Sequence, residues 1–518
     1  MHDDRTAHHG GVGDAHTALT RRLLLTRGAV GAAAFAGVGA VTSLQTPASA
    51  AVRAVARTAK PLVVGDIDVA NSLDPDGPDS VYVPNLNALA ALYDPAIGQG
   101  LIRNPIGPGV TIDGATYTPM LAESWTPNGD GSTWTFKVRK GVVSTHGNEL
   151  TSADFVFMLE RADGLKATAA FVFSFLMKVR RIEAVDRYTF KIVCTGPSPG
   201  VLPYLATSLP QLFVLDSTEL RKHMTHADPW ASKWLAENPA GFGPYELTSW
   251  TPGQSMAFQY RSNYWGKTPA FTQVRYTAVP NDSNRETSLA NGAIDVALTL
   301  SQQSVSSLLK GKQAEVFQFH GNYGVWLWPS EKVVPQFRNV LVRRAMAYAI
   351  PYEQIIKQVY AGRAQLPKTL FASYIPYSDG SSWDYETNAA KALSLMKQSG
   401  VQPFTVPLSY PSQDPEMGEI AAVLQAAWEP LGIRLGLTPA TVADLTAKES
   451  TNRIPFFLSD WASIIAPDGI IYSAFWASTS ALNHVGFSNP TFDRPIRRDR
   501  ARSTRRSAPR STGRCRRS

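Results

Sequence analysis

Cysteine is nearly absent: the 518 residues contain two, Cys194 and Cys515. A disulfide-stapled mini-fold is thereby excluded, and with Cys515 in an arginine-rich tail both thiols read as unpaired. Charged residues are also sparse, at 18%, against 44% hydrophobic. That balance excludes a disordered chain and supplies enough apolar side chain for two or three folding units. No H-E-x-x-H pair, Walker A loop or dinucleotide G-x-G-x-x-G after a strand occurs, so the chemistry those motifs serve has no carrier here. The net charge of +8 points to nucleic acid only until it is located. Residues 494–518 hold eleven Arg against one Asp, and residues 1–50 hold four Arg and three Asp, which leaves the body at −3. A mildly acidic body with one basic tail is not a nucleic-acid channel.

What is present begins with an address. Thr20-Arg21-Arg22-Leu23-Leu24-Leu25 precedes a weakly apolar run over 28–44, and Pro47-Ala48-Ser49-Ala50 supplies a small-residue cleavage pattern. These are the parts of a secretory signal, and the paired arginines resemble the twin-arginine type. Residues 1–50 are expected to be a leader, with the mature chain starting near Ala51 outside the cytoplasmic membrane. No Cys adjoins the cleavage site, so lipid attachment there is not expected.

Along the body, Pro61-Leu62-Val63-Val64-Gly65 reads as a buried strand. The turn Asn128-Gly129-Asp130-Gly131 joins two runs, at 121–125 and 134–139, into a hairpin. Thr151-Ser152-Ala153-Asp154 reads as a capping-box start, with Phe155, Leu159 and Ala162 on one helical stripe. A strand at 189–193 and a hairpin over 241–260 follow. Ser283 and Glu286 read as the cap of a helix ending at Asn291-Gly292. Residues 339–360 read as helix interrupted by Pro351, and an amphipathic helix runs over 419–431 before a strand at 433–437. The class is mixed α/β.

Enzyme motifs fail on their own chemistry. Gly196-Pro197-Ser198-Pro199-Gly200 matches G-x-S-x-G, but the nucleophile elbow needs a backbone N–H after the serine and Pro199 has none. His223 and His226 have helical i, i+3 spacing without a further ligand cluster, so no metal site is expected. The expectation is a binding protein without catalysis, metal or cofactor.

A resemblance extends over most of the body. The runs Pro119-Met120-Leu121-Ala122-Glu123-Ser124-Trp125 and Leu150-Thr151-Ser152-Ala153-Asp154-Phe155, then Gly243-Pro244-Tyr245, Asn263-Tyr264-Trp265-Gly266 and Leu289-Ala290-Asn291-Gly292-Ala293-Ile294-Asp295-Val296 occur in order. Val342-Arg343-Arg344-Ala345-Met346-Ala347-Tyr348-Ala349-Ile350 and Gly486-Phe487-Ser488-Asn489-Pro490-Thr491-Phe492-Asp493 complete the series. Collinear over 61–493, they resemble the family 5 extracellular solute-binding proteins of ABC importers, which include the oligopeptide and dipeptide binders. The resemblance implies a two-lobed, periplasmic-binding-protein-like α/β fold of type II, cluster C-like, with a subdomain inserted in lobe I. It implies lobe I from 60–83 and 206–279, the insertion at 84–205, and lobe II over 280–493. It also implies a monomer that captures a peptide and hands it to an ABC permease with its ATPase subunits. A sugar, opine or metal chelate on the same fold is the rival within the binding class, and a secreted hydrolase the rival from another class.

For the ligand, the resemblance points to Phe457-Leu458-Ser459-Asp460-Trp461. Asp460 would pair with a free amino group, Phe457 and Trp461 would wall the cleft, and the backbone of Leu458 and Ser459 would meet an extended peptide. Two departures stand out. The stretch Gln413-Asp414-Pro415-Glu416-Met417-Gly418 lacks the cation that dipeptide binders place before the following helix, which favours longer peptides or another cationic solute. Residues 494–518 are Arg/Ser/Thr-rich without apolar periodicity, and are expected to be a tail from a shifted frame or truncation, leaving lobe II incomplete and lobe I without the closing strands the family has there; a genuine basic tail that touches anionic lipid or polymer is the alternative.

Overall fold

The computed structural model describes residues 23–25, 60–77, 80, 82–104, 110–206, 212–312, 314–317, 323–369, 379–412, 414–441, 444–445, 447–448, 451, 453–462, 476–478, 480 and 483–494. Residues 495–518 of the arginine-rich tail, Cys515 among them, lie outside them, as does the remainder of the leader.

The first elements are β1 (Leu23–Leu25), β2 (Leu62–Asp66) and α1 (Val83–Leu92), with Pro84 in the first turn of α1, where its missing N–H costs nothing. An antiparallel ribbon follows, β3 (Ile97–Arg103) with β4 (Val110–Pro119). Next, β5 (Ala122–Pro127) and β6 (Thr133–Val138) form the expected hairpin. Thr133 N–H donates to Asn128 Oδ1 at 2.9 Å, and Gly131 takes φ +69°. Helix α2 (Ser152–Leu165) starts as the capping box requires, the Thr151 N–H donating to Asp154 Oδ2 at 2.7 Å. Strands β7 (Val179–Asp186) and β8 (Thr189–Cys194) complete a four-stranded sheet in the order β5-β6-β8-β7. Phe155 of α2 stacks on Phe190, 4.2 Å between ring centres, and Phe190 on Phe136 at 4.8 Å, which seats the helix on the sheet.

After α3 (Ser217–His223) come β9 (Tyr245–Thr251), β10 (Ser255–Tyr260), β11 (Gln273–Ala278), α4 (Asp282–Asn291), β12 (Val296–Ala297), α5 (Gln302–Lys310) and β13 (Glu315–Phe317). The sheet order is β13-β1-β12-β2-β11-β10-β9. This corrects the lobe boundary: β12 and β13 belong to the sheet of β2 and α5 packs on them through Val305 and Leu308, so the crossing to lobe II comes after Phe317, not at 280. A two-residue strand such as β12 carries too little pattern to announce its sheet. The cap of α4 also differs: Asn281 Oδ1 accepts from the Asn284 N–H at 3.0 Å, in place of Ser283.

Lobe II holds β14 (Tyr323–Pro329), α6 (Val340–Ala349), α7 (Ala389–Ser399), β15 (Phe404–Pro411), α8 (Pro415–Trp428), β16 (Ile433–Ala440) and β17 (Phe456–Ala462), with sheet order β14-β17-β15-β16. Helix α8 starts four residues before Glu419, because Pro415 suits a first turn and Asp414 Oδ1 accepts from the Glu416 N–H at 3.2 Å. Trp428, Phe456, Phe337 and Tyr348 are fully buried in this lobe's core.

Two buried carboxylate sites tie the first lobe together. Arg161 of α2 is wholly buried and grips Asp74 with two hydrogen bonds, at 2.8 and 2.7 Å. It also donates to Asp76, to Ser232 Oγ at 3.1 Å and to Trp230 O at 3.1 Å. Asp94, likewise buried, accepts from Trp265 Nε1 at 2.8 Å and Tyr264 Oη at 3.0 Å, while Arg139 lies 4.5 Å over the Trp265 ring. Burial pushes the Asp94 carboxyl up to about 7 against the opposing pull of those hydrogen bonds.

Replacing Arg161 by Met is expected to cost about 3–5 kcal/mol, since two carboxylates lose their cation; a lowered urea midpoint at constant slope is the readout. For Asp94 the folded value lies above the unfolded one of about 3.9, so the folded state binds the proton more tightly. Its contribution is full below about pH 4 and is lost as pH rises towards about 7. The thermal midpoint of Asp94→Asn should therefore gain on wild type across that window; a constant difference between the two proteins would contradict the assignment.

Candidate functional site

The stretch 457–461 lies on β17, an interior strand of the lobe II sheet. It pairs antiparallel with β14 along its length: Trp328 faces Phe457, Leu327 faces Leu458, Trp326 faces Ser459, Val325 faces Asp460 and Gly324 faces Trp461. On its other edge one parallel pair joins it to β15, Ser409 with Phe457.

Alternation then sorts the side chains. Phe456 and Leu458 enter the lobe II core, at 0% and 1% exposure, and Phe456 stacks on Trp428 at 5.7 Å. The side chain of Leu458 is thus spent on packing, and only its backbone remains for a ligand. Phe457 and Ser459 take the opposite face. Phe457 stacks on Trp328, with ring centres 5.6 Å apart and planes 9° apart, and Trp328 stacks on Trp476 with the same spacing and tilt. Trp328 Nε1 donates to Ser459 Oγ at 3.1 Å. The backbones of Asp460 and Trp461 continue the strand on this course; their side chains lie outside the described residues.

The aromatic stack reaches across the molecule. Trp328 and Trp476 both pack on the core of the first lobe, which contains Phe136, Phe155, Phe190 and Tyr204. The far face of β17 therefore borders the space between lobes. Polar contacts cross elsewhere: Gln302 of α5 donates its N–H to Glu416 Oε1 at 3.4 Å, and Arg363 donates to Ser306 Oγ at 3.0 Å. Glu416 sits in the first turn of α8, so the stretch singled out for its lack of a cation is a helix start that also touches α5. Gln413 is outside the described residues.

Sequence reasoning did not find Trp328 or Trp476. The signal for Trp328 was the period-two pair Trp326-Leu327-Trp328; its partner on β17 is 129 positions on, beyond the reach of any local pattern.

The groups tested as chemistry have structural employment. Ser198 is buried and its Oγ donates to Met177 O at 2.6 Å. The His223 ring stacks on Trp234 at 3.8 Å, with Nε2 3.1 Å from Glu219 Oε1. Cys194 is buried and free, and burial pushes its thiol up to about 11. Among the described residues no group of three or more His, Cys, Asp or Glu could hold a metal ion, and no helix is long and apolar enough to cross a membrane.

Comparison with known proteins follows the same lines. The probable D,D-dipeptide-binding periplasmic protein DdpA of Escherichia coli K12 is 23% identical over 356 residues, covering 69% of this chain and 67% of that protein. The nickel-binding periplasmic protein of the same organism is 24% identical over 434 residues, 79% and 76% of the two chains. In fold, the chain resembles the periplasmic binding protein DppA of Helicobacter pylori in complex with the peptide STSA. That match has a TM-score of 0.70 and 22% identity, and covers 88% and 90% of the two chains. The model of the bacterial extracellular solute-binding proteins, family 5 (Middle), matches residues 116–483. With two α/β lobes facing each other across an aromatic stack, and that match over more than half its length, this chain belongs to the family 5 extracellular solute-binding proteins.

Proposed function

We propose that this protein is the extracellular capture subunit of an ABC importer, closing its lobes on a peptide and presenting it to the permease and ATPase subunits. The observation that carries the reading is the double duty of β17. Phe456 and Leu458 anchor it in lobe II, while Phe457 and Ser459 line the face whose neighbours Trp328 and Trp476 touch lobe I. A strand so placed offers backbone groups to an extended ligand and rigid aromatic walls to its side chains. Family membership and the peptide held by the Helicobacter pylori neighbour support the same reading. The leader at 1–50 would deliver the chain across the membrane, and capture by hinge closure needs no covalent step. The nickel-binding relative favours a second reading, a metal chelate in the same cleft.

In this reading Asp460 holds the ligand's ammonium. A charge-assisted hydrogen bond in a closed cleft contributes about 1.5–3 kcal/mol, so Asp460→Asn should weaken peptides with a free amine by about 10- to 100-fold and N-acetylated ones far less. Calorimetric titration of both peptide forms is the test, and equal losses would remove the amine anchor. Native mass spectrometry of the purified protein separates the readings: a ladder of peptide masses supports peptide capture, a discrete chelate mass replaces it. The stack makes its own prediction. Trp328→Ala should enlarge the ligand-free protein in small-angle scattering and weaken ligand binding, whereas Trp328→Phe, which keeps a ring, should stay near wild type; unchanged dimensions in the alanine variant would count against a role in closure.

A further inference from the structure

We propose that the carboxyl end of β2 carries a subsite of the cleft, built from Asp66, Asp68, Tyr82 and Asn87, that takes an organic cation: the ammonium or guanidinium of a captured solute. The subsite presupposes capture as proposed above and adds which charge the solute carries. Its place follows from the sheet. Strand β2 runs parallel to β12, Val64 beside Val296 and Gly65 beside Ala297, so Asp66 and Leu298 leave the sheet at the same edge. From that edge the chain passes into α5, where the Gln302 N–H donates to Glu416 Oε1 at 3.4 Å and Gln302 O accepts from Arg363 at 3.3 Å. Both partners belong to lobe II. The carboxyl edge of the lobe I sheet therefore borders lobe II, and in open α/β sheets ligands bind outside that edge.

Helix α1 supplies the other half. Asn87 is 1% exposed, and its Nδ2 donates to Asp66 Oδ2 at 3.4 Å. With Nδ2 on that carboxylate, the Oδ1 of the same amide is buried beside it and meets no donor. Tyr82, at the start of α1, donates its Oη to Asp68 Oδ2 at 3.3 Å. Burial, then Asp68 and Asp66, push the Tyr82 phenol up, so both carboxylates act on the one ring. Asp68 Oδ1 accepts the adjacent Val69 N–H at 2.7 Å, and among the described residues Asp68 has no ion-pair partner. Arg161 is engaged by Asp74 and Asp76 instead. A half-buried carboxylate without a cation and a buried amide oxygen without a donor are both costly. One cationic group with several N–H donors offsets both. An ammonium carries three such donors, and the Tyr82 ring offers a face to its charge. A metal ion fits less well, since no group of three or more His, Cys, Asp or Glu could hold one among the described residues.

The test is calorimetric titration of the full chain and of Asp68→Asn. The ligands are alanine tripeptides with one lysine at each position in turn, and the same peptides with norleucine, which keeps the chain and lacks the ammonium. Cadaverine, a diamine without a peptide bond, is the third probe. Wild type should favour lysine over norleucine at one position by about 10- to 100-fold, and Asp68→Asn should bring that ratio close to one. No lysine preference at any position, or a preference that survives Asp68→Asn, would overturn the subsite and leave peptide capture standing. Binding of cadaverine through Asp68 with no tripeptide bound would do the reverse. Binding of neither tripeptides nor cadaverine would overturn both.

Discussion

A strand in the wall of a cleft has to serve two surfaces with alternate residues, and on β17 that constraint decides what each position can do. Phe456 and Leu458 go to the lobe II core, Phe457 and Ser459 to the opposite face, where Phe457 is buried with Leu445 and Ile454 against Trp328. Burying a side chain of the first pair's size is worth about 1.5–3 kcal/mol each, so the register is held from the core side. A slip of one residue would put Phe457 and Ser459 into the lobe II core and turn Phe456 and Leu458 out to the opposite face. The seven pairs with β14 hold the same register from the backbone. Specificity on the open face is free to vary as long as the core face does not.

Within lobe I the strongest ties are ionic and buried, and this too follows from geometry. The helix α2 and the loop after β2 lie far apart in sequence; Phe157 shares a core with Val69, Ala70 and Leu73 of that loop, and Arg161 satisfies its guanidinium with four separate groups at once. Such a site is expensive to desolvate, but once formed it tolerates no partial loss, which makes the junction rigid. The Asp94 site works similarly, bringing Tyr264 and Trp265 onto the end of α1 and Arg139 onto the indole. A binder that closes by moving whole lobes needs each lobe to stay stiff while the hinge does not.

How much of this was legible follows from sequence distance. The β5–β6 hairpin and the start of α2 were readable because their determinants, Asn128, Gly131, Thr151 and Asp154, act within a few residues of one another. The strand at 456–462 entered only through the resemblance, which implied both the strand and a course along a ligand; the structure shows the strand. The lobe crossing after Phe317 was not readable, because it depends on β12 and β13 joining a sheet whose first strands lie at Leu23–Leu25 and Leu62–Asp66, far back in the sequence. The start of α8 was missed for a different reason. Apolar periodicity begins at Ile420, but Asp414 and Pro415 already carried the cap and first-turn chemistry that place the start earlier. The role of Leu458 also needed the fold, since facing is set by which side the core lies, not by the residue.

The contacts that cross between lobes differ in kind from those inside them. Inside lobe I a charged side chain is wholly buried and fully engaged; among the described residues the contacts across the lobes include half-buried rings, a 3.4 Å hydrogen bond from Gln302 to Glu416, and hydrogen bonds from the half-buried Arg363 to Ser306 Oγ at 3.0 Å and to Gln302 O at 3.3 Å. Stacked aromatics suit a surface that opens and shuts. An offset pair adds only about 0.5–1.5 kcal/mol beyond its area, it leaves no unpaired charge when it parts, and the same rings can receive a ligand's apolar side chain. A buried ion pair in that place would lock the lobes or, on opening, leave a charge to be solvated. The buried ion cluster thus ties α2 to the loop after β2 within lobe I, whereas the rings of Phe457, Trp328 and Trp476 can part without stranding a charge, which suits a closing trap. On the proposed function, the energy that a ligand must tip lies at the Phe457–Trp328–Trp476 stack, where a population shift of a few kcal/mol is enough to change which state dominates.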